Sequence, residues 1–302
     1  MRHFLILLFA AAVLLGSAAC TKNDGPSPTN TYGEPTTAQY KTLPGTDANL
    51  LSLDMYTTGA TTGISAAPRP VVIWVHGGGW RQGDKAQQLA NKLSLFSSLD
   101  YVFVSVNYRL SPSSFELNNP NRIKFPDHNH DVADAVQWVF NNIGAHGGDP
   151  AKVVLLGHSA GAHLVSLTGT SPQFLPARGL ALNRLKGVAS IDTDTYDLTG
   201  QGGEDIYQNA FGNDPATLRQ ASPMTHVAAG TAYPRFFVAK RGAAGRVANA
   251  NAFISQLQAA GTVVSQVDGS RYDHEGVNNA IGEPNETVVT PALRTFLEDC
   301  FQ

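Results

Sequence analysis

The chain predicts an α/β fold, a mostly parallel sheet with helices on both faces, and three observations carry that prediction. Two apolar runs, Pro70–Val75 and Val153–Leu156, are continuous rather than alternating, as in strands buried on both faces. Strand-like runs take turns with helix-like runs, the alternation that builds parallel sheets. The run Val153–Leu156 passes directly into Gly157-His158-Ser159-Ala160-Gly161 and then into the helix-compatible Ala162–Leu167. That reads as a buried strand, a sharp turn carrying an exposed serine, and a helix.

The first 19 residues have the layout of an export signal: basic Met1-Arg2-His3, apolar Phe4–Leu15, then small Gly16-Ser17-Ala18-Ala19. The apolar run is too short for a comfortable membrane-spanning helix. Cys20 follows at once, which resembles a bacterial lipoprotein signal whose Cys is lipidated and becomes the mature N-terminus. Ser17 departs from the Leu or Val usual in such signals, and plain secretion with cleavage near Ala19 is the other reading. Residues 20–37, with Pro26, Pro28 and Pro35 among Gly, Thr and Asn, read as a flexible tether. The folded domain is expected over 38–302.

Within it, residues 38–43 and 50–56 suit an antiparallel pair turning at Pro44-Gly45-Thr46-Asp47. Leu51, Leu53 and Met55 alternate with Ser52 and Asp54, which predicts a half-exposed edge ribbon. The strand Pro70–Val75 ends in His76-Gly77-Gly78-Gly79-Trp80, and Tyr101–Asn107 is the next strand. Val132, Ala135, Val136, Val139, Phe140 and Ile143 recur at helical spacing. Leu185–Ile191 is a strand that empties into Asp192-Thr193-Asp194-Thr195-Tyr196-Asp197. Residues 199–234 read as a polar, irregular insertion, a substrate-facing wall or short lid. Phe236–Ala239 is a strand, and Val247, Ala250, Ile254, Leu257 and Ala260 give an amphipathic helix stopped by Gly261. Thr262–Val267 is the last strand, Gly269–Gly276 a loop holding His274, and Val288–Phe301 a closing helix.

Composition narrows the function. The chain has 302 residues and 42% hydrophobic content, enough for a sizeable core. A net charge of −3 argues against nucleic acid as a partner. Cys20 and Cys300 are the only cysteines, so there is no disulfide framework. Asp127-His128-Asn129-His130-Asp131 invites a metal reading, but residues two apart on a helix point away from each other. Acidic residues also suit a helix start. The Gly-rich stretches 76–79 and 200–203 lack the Lys-Ser/Thr of a phosphate loop. No metal and no cofactor are expected. Trp74 and Trp80 read as core and pocket wall.

What remains points to acyl transfer. Gly157 and Gly161 suit a turn in which flanking chains approach too closely for a Cβ. The helix after Ser159 aims free N–H groups at the serine. Gly77, Gly78 and Gly79 at the end of a buried strand are costly in backbone entropy, and make sense where backbone amides must face an oxyanion. Among the nine histidines, His274 alone follows the last strand.

With these features in this order, the chain resembles the α/β-hydrolases. The likeness is to the carboxylesterase branch that includes hormone-sensitive-lipase-like and feruloyl or acetyl esterase-like enzymes. Asn107-Tyr108-Arg109-Leu110-Ser111-Pro112, Phe125-Pro126 and Gly148-Asp149-Pro150 through Gly161 carry the likeness, which spans about residues 40 to 300. The resemblance implies Ser159 as nucleophile, His274 as general base and then acid, and the amides of Gly78, Gly79 and Ala160 as the oxyanion hole. The substrate it implies is a small carboxylic ester.

The acid departs from the pattern. The family carries an Asp in a Gly-x-x-Asp turn after the second-last strand. Here Lys240-Arg241-Gly242-Ala243-Ala244-Gly245-Arg246 holds no carboxylate. Asp192, at the end of the preceding strand, projects from the carboxyl edge of the sheet and is the candidate. Asp194 and Asp197 are its rivals, followed by Asp268, Asp273 and Glu275. Two other functions stay open: an aryl amidase or formamidase on the same site, and a non-catalytic surface protein that keeps the fold for binding. Oligomeric state is left open, and contact with a membrane is expected only through a lipid on Cys20.

Overall fold

The computed structural model describes residues 29–58, 67–112, 117–200 and 205–302. The export signal, Cys20 and the tether as far as residue 28 lie outside the described residues, as do 201–204 of the insertion.

The strands are β1 (Thr36–Gln39), β2 (Ser52–Tyr56), β3 (Arg69–Val75), β4 (Val102–Val106), β5 (Gly148–His158), β6 (Gly187–Ile191), β7 (Arg235–Lys240) and β8 (Val264–Asp268). They form one sheet in the order β1-β2-β4-β3-β5-β6-β7-β8. β1, β2 and β4 pair antiparallel, and every pair from β4 to β8 is parallel.

Strand alternation divides the core between the two faces. Val71, Ile73 and Val75 of β3, with Val153 and Leu155 of β5, pack on one side. There they meet α2 (Asp127–Asn142), α3 (Ala160–Thr170) and α6 (Ala244–Ala259). Val72, Trp74, Val154 and Leu156 pack on the other. That side is covered by α1 (Ala90–Ser98), α7 (His274–Asn279) and α8 (Val289–Phe301). Val71–Val75 and Val153–Leu156 are apolar at every position because both faces are covered there, which is why they read as continuous runs. Cys300, in the last turn of α8, is a buried free thiol.

Four expectations need correction. The tether ends before residue 37. Tyr32 is buried, its hydroxyl donates to Tyr101 O at 2.6 Å, and β1 starts at Thr36. β2 is not a half-exposed edge, because β4 flanks it on one side and β1 on the other. Asp54 is thereby buried, and it pairs with Lys85 at 3.1 Å. Residues 199–234 are not irregular throughout: α4 (Asp205–Phe211) and α5 (Pro215–Ala221) lie inside them. α5 starts on a proline, with Asp214 accepting from Thr217 N at 2.8 Å, an ordinary helix cap. Finally, His274 is not in a loop but is the first residue of α7, whose cap is Asp273.

Candidate active site

The parallel strands aim their carboxyl ends at one rim, and the loops leaving β3, β5, β6 and β8 meet there. Ser159 follows β5 directly. Its backbone has φ 57° and ψ −120°, outside the regions open to a side-chain-bearing residue at low cost. Neighbouring hydrogen bonds hold it there. Ser159 N donates to Ile191 O at 3.0 Å, and His163 N donates back to Ser159 O at 3.1 Å to start α3. The sharpness of this turn depends on Gly161. A Cβ there would stand 2.1 Å from Val75 O, so any side chain would push β3 and α3 apart.

His274 reaches the serine from α7. The Ser159 hydroxyl donates to His274 Nε2 at 2.9 Å, and His274 Nδ1 donates to Asp192 Oδ2 at 2.6 Å. The three side chains line one cleft of about 310 Å³, together with Gly78, Gly79 and Ala160. All six site residues named by sequence are therefore brought together.

The glycine loop after β3 is a fixed turn. Arg81 N and Gln82 N both donate to Gly78 O, at 3.2 and 3.1 Å. Gly78 has φ +100°, and a Cβ on it would fall 2.0 Å from Gln82 O. Only glycine leaves room for this arrangement. Residues 107–111 brace the loop: the Tyr108 hydroxyl contacts His76 O and Gly77 O at 3.1 and 3.2 Å, and Ser111 N donates to Trp80 O at 2.8 Å. Trp80, itself at φ 59°, is buried and walls the cleft.

Asp192 is also off the ordinary backbone regions, at φ 51°, and is 1% exposed. Its N–H donates to Ala239 O at 2.9 Å, which fixes it against β7. Burial pushes its carboxyl up, but hydrogen bonds from His274 and Arg246 outweigh that and hold it below the usual carboxylate range. The rivals have other work. Asp194 pairs with Arg246, Asp197 accepts from Thr199, Asp268 from Ser270 N, and Asp273 caps α7. Glu275 accepts from Gln88 Nε2 at 3.0 Å.

Sequence reasoning did not single out the residues that hold this site from behind. His158 lies under His274, ring centroids 4.6 Å apart, and its Nε2–H donates to His274 O at 2.9 Å. Burial, and then the neighbouring His274, lower its pKa to about 3, so it is neutral at working pH. α7 is further tied to the start of α1. Asn91 Nδ2 donates to Asn279 O at 2.8 Å, and the buried Lys92 Nζ donates to Gln88 O and Asn278 O, both at 3.2 Å. Lys92 also stands 4.4 Å from the Trp74 ring centroid. An ammonium that finds two carbonyls and an aromatic face can stay in the core, although burial lowers its pKa to about 7.

The residues that invited a metal reading are engaged with protein partners. His128 Nε2 contacts Ser111 Oγ at 3.0 Å, and Asp131 receives Arg109 in a two-pronged pair at 2.6 and 2.9 Å. Among the described residues, one cluster has ligand-like spacing: His158, Asp192 and His274. Its Nε2 of His158 and Nδ1 of His274 are already donating to oxygen atoms.

Residues 53–179 match the family model BD-FAE. Among curated proteins, the chain is 31% identical over 207 residues to the probable carboxylic ester hydrolase LipM of Mycobacterium tuberculosis. That alignment spans 63% of this chain and 45% of that protein. It is 32% identical over 184 residues to esterase LipQ of the same organism, spanning 56% of this chain and 40% of that one. The chain thus spans less than half the length of these curated relatives. Among solved structures, esterase B from Lactobacillus rhamnosis superposes with TM-score 0.70 at 20% identity, over 92% of this chain and 88% of that one. Esterase 2 of Thermogutta terrifontis, phosphoramylated by tabun, superposes with TM-score 0.62 at 20% identity, over 88% and 91%. The fold is that of the α/β-hydrolases.

Proposed function

We propose that this α/β-hydrolase chain is a serine hydrolase of small carboxylic esters, working through an acyl-enzyme. The observation that carries the reading is the continuous relay from Ser159 Oγ through His274 to Asp192, at 2.9 and 2.6 Å, opening on a cleft lined by Gly78, Gly79 and Ala160. Esterase names among the relatives support it.

In this reading Ser159 Oγ attacks the ester carbonyl while His274 Nε2 takes its proton. The amides of Gly78, Gly79 and Ala160 receive the oxyanion, helped by the positive end of α3. His274 then gives the proton to the departing alkoxide. Water enters, loses a proton to His274 and attacks the acyl carbonyl, and His274 then returns that proton to the departing Ser159 Oγ as the acid is freed. Asp192, kept ionised by its partners, holds the imidazole in the Nδ1–H tautomer and stabilises its charged form. No step calls for a cofactor. The test is 4-nitrophenyl acetate and butyrate with purified protein. A burst of one nitrophenolate per chain followed by steady turnover is expected. No release above the buffer rate at any acyl length would overturn the reading, and release from a formanilide alone would redirect it to amides.

We also propose export, with a lipid on Cys20 as the anchor, on the strength of Met1–Ala19 and the Cys that follows. Cys20→Ser is expected to move the protein from the membrane pellet to the soluble exported fraction. An unchanged distribution would rule the anchor out.

A further inference from the structure

Where the family's turn would supply the acid, this chain supplies two cations. Counting from Gly242, a Gly-x-x-Asp turn would set its carboxylate at 245, and the residue there is glycine. On either side stand Arg241 and Arg246. We propose that Arg241 and Arg246 are positioning residues of the reaction, fixing the transposed acid Asp192 against His274 and setting how much of its charge the imidazole feels. The proposal rests on the esterase reading above.

The geometry is specific. Asp192 Oδ2, which accepts from His274 Nδ1, also lies 2.6 Å from Arg241 Nε, and Oδ1 lies 2.8 Å from Arg246 Nη2. Arg241 Nε makes no aligned hydrogen bond, so its contact with Oδ2 is one of charge. The register explains its placement: β7 runs parallel to β6 with Ala239 opposite Ile191, so position 241 emerges beside Asp192. Arg246 comes from the first turn of α6 and forks. Its other nitrogen, Nη1, holds Asp194, whose Oδ1 accepts from the Tyr207 hydroxyl at 3.1 Å. One planar guanidinium thus locks two carboxylates into a fixed relation, which a lysine cannot do.

A buried Asp192 needs one counter-charge to be tolerable. Here two cations, Arg241 and Arg246, face two anions, Asp192 and Asp194, so the cluster is neutral before His274 gains a proton. The other titratable and charged groups around His274 are Glu275 beside it on α7, the helix cap Asp273 whose carboxylate is taken by Gly276 N, the neutral His158 beneath it, and Lys92, whose charge acts on His158. None of these lies within ion-pair distance of Asp192 among the described residues. Removing the arginines therefore has two consequences. The carboxylate loses its fixed orientation, and its full negative charge is turned on the imidazole, which then holds its proton to higher pH.

The variants are Arg241→Gln, Arg246→Gln, the double variant, and Arg246→Lys. Thermal melts confirm folding; if a Gln variant does not fold, Arg246→Lys carries the test through kcat alone, and a kcat equal to wild type with KM unchanged overturns the clamp. Expected in the Gln variants are about a tenfold fall in kcat, KM within twofold, and an acidic limb of kcat/KM displaced upward by about half a pH unit or more. Arg246→Lys is expected to keep the limb and lose part of kcat, since it keeps charge but not the fork. NMR titration of the His274 imidazole, assigned with His274→Gln, reads the same displacement in resting protein without substrate. If wild type hydrolyses no ester, the function reading fails while the titration still judges the clamp. If the limb and the titration midpoint stay at the wild-type value in the double variant, the clamp is overturned.

Discussion

Ser159→Ala is expected to lower kcat/KM on short-chain aryl esters by about 10⁵- to 10⁶-fold. The change removes one oxygen whose hydrogen bond is to His274 Nε2, 2.9 Å away. The backbone at φ 57° is no worse for Ala than for Ser, so fold and stability should survive. The residual rate would come from the amides of Gly78, Gly79 and Ala160, which still polarise a bound carbonyl toward water. Initial rates and a thermal melt on both proteins check this. A variant that keeps a tenth of wild-type activity would place the nucleophile elsewhere.

The second large effect is expected at Asp192. Asp192→Asn should lower kcat by about 10⁴-fold with little change in KM. An amide presents an N–H or a weak acceptor to His274 Nδ1, so the imidazole loses both its fixed tautomer and the anion that stabilises its charged form. The same change strips Arg241 and Arg246 of their shared partner. The neighbours rank behind it. Asp194→Asn reaches the acid through Arg246 and should cost about tenfold, whereas Asp197→Asn touches a local turn with Thr199 and should change little. Parallel kinetics on the three variants settle the order. Loss of turnover in Asp194→Asn or Asp197→Asn, with Asp192→Asn active, would move the acid from Asp192 to a later position in the loop after β6.

These residues differed in how readily they could be read from the chain. Ser159 was legible because strand, glycines and helix must be contiguous to make its turn, so the whole device is local. The glycine loop at 77–79 was legible for the same reason. Asp192 required knowing that β7 runs beside β6, since only pairing brings Ile191 next to Ala239 and Arg241 next to the carboxylate. A signal was present nonetheless: a turn with Lys240, Arg241 and Arg246 and no acid complements the acid-rich Asp192–Asp197. The burial of Asp54 was hidden because alternation within β2 says nothing about a second neighbouring strand. Lys92 was hidden because its partners are Trp74 and two backbone carbonyls, none near it in sequence except Gln88. The helix α1 that carries it has no strong periodic face, so its existence followed from packing on β4 and not from pattern.

The central claim is that Ser159 is an activated nucleophile in a formed oxyanion site. A fluorophosphonate probe tests it most directly, followed by intact-mass and peptide mass spectrometry on wild type and Ser159→Ala. The account predicts one phosphonyl group per wild-type chain, located on the peptide containing Ser159, and none on the variant. A wild-type protein left unlabelled, or one labelled equally in the variant, would contradict it.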